Sequence, residues 1–223
     1  MNYFKKEIVI IGLGYVGLPL AVKLASHFSV IGYDVSKKRI NELKNSYDNT
    51  KEVKKSILKK TKNIIFTSDK SLINKKYIYI ITVPTPVNVN NLPDLSLLKR
   101  ACKLVGKIIK KSAIVIFEST VYPGVTEKIC APIIAKESSY KLNNGFFVGY
   151  SPERINPGDK KHSIDKIIKV VSGSNSKITK IIGEIYTKII KAGVFYASSI
   201  EVAETAKAIE NAQRDINIAF INE

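Results

Sequence analysis

Cysteine is scarce in this sequence. Cys102 and Cys130 are the only two in 223 residues. Neither has a Cys or His neighbour at ligand spacing, which excludes a disulfide framework and a Cys/His metal site and fits a reducing compartment, the cytoplasm. Arginine is scarce as well: only Arg39, Arg100, Arg154 and Arg214 stand among 36 basic residues. With 19 acidic residues the chain carries a net charge of +17 and a sequence pI near 9.7, a surplus that suits a polyanionic partner. The surplus is lysine dispersed over the whole length, however, with few of the guanidinium groups that read bases and phosphates bidentately. A solvated surface is the expectation, with no nucleic-acid and no membrane partner. Long apolar runs are missing too. The opening MNYFKKEIVIIGLGYVGLPLAV has the charge of a signal peptide, but three glycines and Pro19 break it and no clean cleavage site follows. No other stretch is long enough to cross a bilayer. Solenoid-period repeats and low-complexity segments are also lacking.

What remains is an ordinary globular composition, 45% hydrophobic and 25% charged, in a length that suits one large domain or two small ones. Residues 6–12, KEIVIIG, form a β-branched run of the kind buried on both faces of a sheet, and a helix is expected from about Val16. Apolar runs return at 29–33, 63–67, 77–83, 112–118 and 145–150, with helical segments such as 95–110 and 126–138 between them. After a polar loop, 166–172 and 193–197 give two more strands around a helix at about 177–191. This alternation predicts an α/β fold, a Rossmann-like doubly wound parallel sheet. From Ser199 to Glu223 there is no Gly or Pro, and alanine and isoleucine recur at helical spacing, so the start of one long helix is expected. The pattern stops without a capping signal, which reads as a fragment of something longer. An unpartnered apolar stripe on that helix would make the isolated chain prone to self-association.

The strongest motif is Gly12-Leu13-Gly14-Tyr15-Val16-Gly17, directly after the first strand and opening the first helix. Asp34 ends the second strand about 20 residues on, where a dinucleotide fingerprint places its ribose-binding acid. Gly12 would permit the tight turn, Gly14 the approach of a pyrophosphate, and Gly17 close packing of helix on strand. The helix N-terminus would offer amides and a positive dipole to phosphates. Asp34 would accept from the adenosine ribose hydroxyls and repel a 2′-phosphate, favouring NAD over NADP, with Arg39 a mild counter-indication. Thr82-Val83-Pro84-Thr85-Pro86 and Glu118-Ser119-Thr120-Val121-Tyr122-Pro123-Gly124 follow the fourth and fifth strands, at the edge where such sheets bind ligands. Either could equally be a proline-stiffened connector. Ser151-Pro152-Glu153-Arg154-Ile155-Asn156-Pro157-Gly158 follows a strand too, and its Glu153-Arg154 pair could be a plain surface ion pair. Glu204, Lys207, Asn211 and Asp215 form one stripe of the last helix, either a solvated face or one aimed into a cleft.

In this order IVIIGLGYVGLPLA, GYDVSKKRI, VPTP, ESTVYPGVTE, GYSPERINPGD, VVSG and AETAKAIENAQRDINIAFINE resemble the UDP-glucose/GDP-mannose dehydrogenase family, the nucleotide-sugar 6-dehydrogenases. SPERINPGDKKH looks most like the branch acting on UDP-N-acetylhexosamines in capsular and Vi-type polysaccharide synthesis; UDP-glucose is the alternative substrate, and a basic Rossmann-like binding module without dehydrogenase activity the alternative function. The resemblance implies a UDP-sugar whose primary alcohol is oxidised in two hydride transfers to NAD, through a cysteine thioester, to the uronate. It assigns Glu153 to acid–base and hydrolytic chemistry, Lys207 to the stabilisation of oxyanion charge and Asn211 to its amide partner. Arg154, Ile155 and Asn156 would join these three around the substrate. Gly12, Gly14, Tyr15, Val16, Gly17, Asp34, Thr85, Pro86, Glu118, Ser119 and Thr120 would line the cofactor cleft, with Arg39 beside the adenosine ribose. It further implies an NAD-binding domain over residues 1–198, and over 199–223 the start of a central helix that dimerises the enzyme. The family's nucleophilic cysteine lies farther downstream than Glu223, as does the UDP-binding domain. Cys102 and Cys130 fall in helical patterns and are expected to be packing residues, so the chain is expected to be inactive alone.

Overall fold

The computed structural model describes residues 3–153 and 166–223. Eight strands form one mostly parallel sheet in the order β3-β2-β1-β4-β5-β6-β7-β8. They are β1 Ile8–Ile11, β2 Val30–Tyr33, β3 Ile64–Thr67, β4 Ile78–Ile81, β5 Ala113–Phe117, β6 Phe146–Tyr150, β7 Lys169–Gly173 and β8 Val194–Tyr196. The helices are α1 Gly17–Leu24, α2 Lys37–Lys44, α3 Lys55–Lys60, α4 Ser96–Ile108, α5 Ala131–Ser138, α6 Ser176–Thr187 and α7 Ile200–Asn222, and a π-helical turn, Thr126–Cys130, leads into α5. The expected doubly wound Rossmann-like sheet is therefore present, and its order reverses between β1 and β4, where such sheets open a crevice.

Successive side chains of a strand point to opposite faces, so each buried strand feeds two cores. On one face Ile8, Ile10, Ile78, Ile80, Ile114 and Ile116 pack with Leu18, Leu20 and Leu24 of α1 and Ile178, Ile182 and Tyr186 of α6. On the other, Val9, Ile11, Ile81, Val115, Phe117 and Val148 pack with Leu98, Cys102 and Val105 of α4 and Ile134 of α5. Cys102 and Cys130 are both free and fully buried, packing residues as expected.

The sheet departs from all-parallel at one junction. β7 runs antiparallel to β6, pairing Tyr150 with Ser172 and Gly149 with Gly173. An antiparallel neighbour needs no crossover helix. The consequence is positional: the first residue of β7, Lys169, lies beyond the carboxyl end of β6, on the same sheet edge as the glycine loop.

Ser199 caps α7, its hydroxyl accepting from Val202 N–H. Only the first two turns of α7 are packed, through Ile200, Ala203, Glu204 and Lys207. Beyond them Ile209, Ile216, Ile218, Phe220 and Ile221 are all exposed. Among the described residues no helix is long and apolar enough to cross a membrane.

Candidate functional site: a glycine loop between two cavities

Two glycines of the loop meet demands of the fold itself. Gly12 has φ +97°, a left-handed conformation that costs other residues strain. A Cβ on Gly17 would sit 1.9 Å from the Gly12 carbonyl oxygen and 2.5 Å from Thr82 Oγ1, so only glycine lets α1 start this close to β1. A Cβ on Gly14 would meet nothing within 4 Å. Gly14 thus has open space beside it that the fold itself does not need. The N-cap of α1, Val16, supplies no side-chain hydrogen bond to the helix amides, which leaves the N-terminus to a ligand.

Two cavities meet at this loop. One, of about 540 Å³, runs from Gly12–Gly14 past Asp34 and Val35 to Leu97 and Arg100 of α4, with Lys70 at its rim. The other, of about 420 Å³, is lined by Gly14, Tyr15 and Val16, by Thr82–Pro86, by Glu118–Thr120, and by Glu153, Lys207 and Arg214. The motifs after β4 and β5 are tied to each other: Ser119 Oγ donates to the Val83 carbonyl at 2.6 Å and Thr85 Oγ1 to the Thr120 carbonyl at 2.5 Å. They are walls of a cleft and not loose connectors. The shape and chemistry fit a dinucleotide, with a glycine-lined, uncapped helix terminus midway between an acid-ended apolar cavity and a polar one.

Asp34 is held in place by backbone donors, Oδ2 accepting from Leu13 N–H at 2.9 Å and Oδ1 from Ser36 N–H at 2.9 Å. Each carboxylate oxygen keeps a further acceptor site for a ribose hydroxyl. Arg39, expected beside the ribose, makes its contacts within the protein. It is buried and lines neither cavity: Nε donates to the Leu13 carbonyl at 2.8 Å, Nη1 to Asn49 Oδ1 at 2.7 Å, and Nη2 pairs with Asp48 Oδ1 at 2.8 Å.

Behind the second cavity lies a buried ionic cluster that the sequence did not announce. Lys169 Nζ donates to Glu118 Oε2 at 2.8 Å, to the Pro152 carbonyl at 3.2 Å and to Glu153 Oε2 at 3.3 Å, over the face of the Tyr186 ring. Tyr186 Oη donates to Glu118 Oε1. Burial alone would drive Lys169 toward its neutral form, but the carboxylates of Glu118 and Glu153 outweigh it and hold the ammonium above the ordinary lysine range. Burial pushes the Tyr186 hydroxyl well up, and Glu118 pushes it further. Glu153 therefore enters the cavity with its carboxylate tethered to a cation.

The polar stripe of α7 splits. Lys207 lines the cavity, and Arg214, two turns further on the same face, lines it too. Glu204 points away, fully buried, accepting from Gly124 N–H at 2.6 Å and Thr126 N–H at 2.9 Å, so it caps the helical turn after the ESTVYPG motif. Asn211 is half-buried and lines neither cavity, and Asp215 is exposed. Arg154, Ile155 and Asn156 lie outside the described residues. Among those described, no group of three or more His, Cys, Asp or Glu residues is placed to hold a metal ion.

Fold and cleft together define a dinucleotide-binding domain. Residues 6–190 match the model of the UDP-glucose/GDP-mannose dehydrogenase family, NAD binding domain. The chain belongs to that family, and its cofactor is NAD. It is 52% identical over 217 residues to UDP-N-acetyl-D-glucosamine 6-dehydrogenase of Salmonella typhi and 51% identical over 218 residues to Protein CapL of Staphylococcus aureus. These matches cover 97% and 98% of this chain and 51% of each relative. The chain thus spans about half the length of the curated relatives it matches. Among solved structures, the UDP-D-ManNAc dehydrogenase of Pyrococcus horikoshii superposes with a TM-score of 0.89 at 30% identity, covering 97% of this chain and 52% of that one.

Proposed function

We propose that this chain is the NAD-binding half of a cytoplasmic nucleotide-sugar 6-dehydrogenase. Its substrate is a UDP-N-acetylhexosamine, N-acetylglucosamine or N-acetylgalactosamine, oxidised at the primary alcohol to the uronic acid for surface polysaccharide synthesis. The observation that carries this reading is the meeting of Glu153, from the end of β6, and Lys207, from α7, in the cavity that adjoins the glycine loop. Bound NAD supplies the hydride acceptor. Lys207 Nζ donates to the sugar oxygen where negative charge develops, which lowers the barrier more than a ground-state contact does. Glu153, oriented by Lys169, takes up the proton. Thr85 and Thr120, locked to one another, and Ser119 set the wall against which the reacting groups are placed. Asn211 adds its amide beside Lys207, and Arg154, Ile155 and Asn156 complete the sugar site. The match to the S. typhi relative favours the N-acetylglucosamine substrate, and the exposed apolar face of α7 supports a homodimer formed through that helix.

Neither cysteine of this chain is accessible to an aldehyde. Residues 1–223 alone therefore bind NAD without completing the four-electron oxidation. The test is a chimera in which the remaining half of the S. typhi relative follows Glu223. It should release two NADH per UDP-N-acetylglucosamine. Failure to reduce NAD with any UDP-hexosamine, in a folded chimera, would overturn the reading.

A further inference from the structure

Leu13 is gripped at both ends of its backbone. Its N–H donates to Asp34, and its carbonyl accepts from Arg39 Nε at 2.8 Å. The circuit closes through Ser36, whose N–H donates to Asp34 and whose hydroxyl accepts from Arg39 N–H at 3.2 Å. Because a trans peptide sets its C=O and N–H in opposite directions, the donor that holds the Leu13 carbonyl also aims the next amide, Gly14 N–H, away from Arg39. Gly14 lines both cavities, and a Cβ there would meet nothing within 4 Å. Arg39 in turn is fixed by Asp48. This carboxylate is buried, pairs with Arg39 Nη2, and accepts from Thr50 N–H and Oγ1 and from the N–H groups of Glu52 and Val53.

Asp48 lines neither cavity. We propose that Asp48 is a positioning residue for the dinucleotide. Acting through Arg39, it holds the Leu13–Gly14 peptide so that the loop amides converge on the diphosphate. The inference rests on the glycine loop being the diphosphate cradle. A wild-type chain that binds neither NAD nor ADP would sink that reading itself, whereas wild-type binding with an unaffected variant would sink only the role of Asp48.

The experiment measures Kd of residues 1–223 for NAD, ADP and adenosine in the wild type and in Asp48→Asn. Losing one charge-assisted support of the loop should weaken NAD and ADP by about tenfold. Adenosine, which has no phosphate for the loop to hold, should stay within about twofold. Equal weakening of all three would show general loosening and refute the role, and no change in any would refute it as well. If Asp48→Asn does not fold, Asn49→Ala removes only the Nη1 acceptor and should weaken ADP about threefold, again sparing adenosine, with the same two refuting results. Combining Asp48→Asn with Arg39→Lys should weaken ADP no further than Arg39→Lys alone. Additive losses would mean that Asp48 does not act through Arg39.

Discussion

Gly14 and Gly17 are three residues apart in one motif, yet the structure gives their substitutions opposite consequences. In Gly17→Ala the new methyl would lie 1.9 Å from the Gly12 carbonyl oxygen, where real Cβ atoms essentially never come closer than 3.0 Å, so the start of α1 must retreat by about 1.1 Å. The obstacle is backbone and cannot rotate aside. Overpacking of this kind costs at least about 1–3 kcal/mol, which in a chain this size lowers Tm by about 3–10 °C. In Gly14→Ala the methyl meets nothing within 4 Å, and the residue is not at positive φ, so the fold should be unharmed or gain a few tenths of a kcal/mol. The same methyl fills the space where a diphosphate approaches the amides. Losing one or two amide–phosphate hydrogen bonds at about 1.5–3 kcal/mol each predicts at least about a tenfold loss of NAD affinity, since about 1.4 kcal/mol is a factor of ten. Thermal melts and calorimetric titration of both variants decide the matter. A Gly14→Ala protein that binds NAD like the wild type, or one that melts as low as Gly17→Ala, would refute the division of roles.

Lys169→Met leaves Glu118 and Glu153 without their shared cation, and breaking a buried pair from one side should destabilise the domain by about 3–5 kcal/mol in urea unfolding. A loss below about 1 kcal/mol would mean that the cluster is not ionic. Asp48 has its carboxyl held below the ordinary 3.8, since burial, which raises it, is outweighed by hydrogen bonds from Thr50, Val53 and Arg39. Its contribution to stability is therefore complete above about pH 5 and is lost as pH falls through about 4 toward the folded value. Asp48→Asn should flatten that acid limb of the Tm profile; an unchanged limb would contradict the assignment. Replacing exposed Ile216 and Phe220 by glutamate should shift the chain in size-exclusion chromatography from an associated species to a monomer. A wild-type chain already monomeric would remove the basis for pairing through α7.

The sheet was legible because its strands are buried on both faces and so read as unbroken β-branched runs, and because glycine and proline punctuate the connections. Gly12 and Gly17 of the loop were legible because each answers a separate steric demand. The ionic cluster was not. Reading every strand as parallel puts Lys169 at the opposite edge of the sheet; only the reversal of β7 carries it to the ligand edge, where Tyr186 of α6 meets it. The partner of Arg39 was not legible either: its long side chain reaches to Asp48, which nothing in local spacing marks. Glu204 and Lys207 belong to one helical stripe, yet the loop before α5 captures the first as a cap and leaves the second to the cavity.

The central claim is that the amides of the glycine loop hold a diphosphate while Asp34 receives an unphosphorylated ribose. Calorimetric titration of residues 1–223 with NAD and with NADP tests it most directly. One saturable site for NAD is expected, with NADP weaker by at least about tenfold because its 2′-phosphate would face the Asp34 carboxylate. Heat from neither nucleotide, or a preference for NADP, would contradict it.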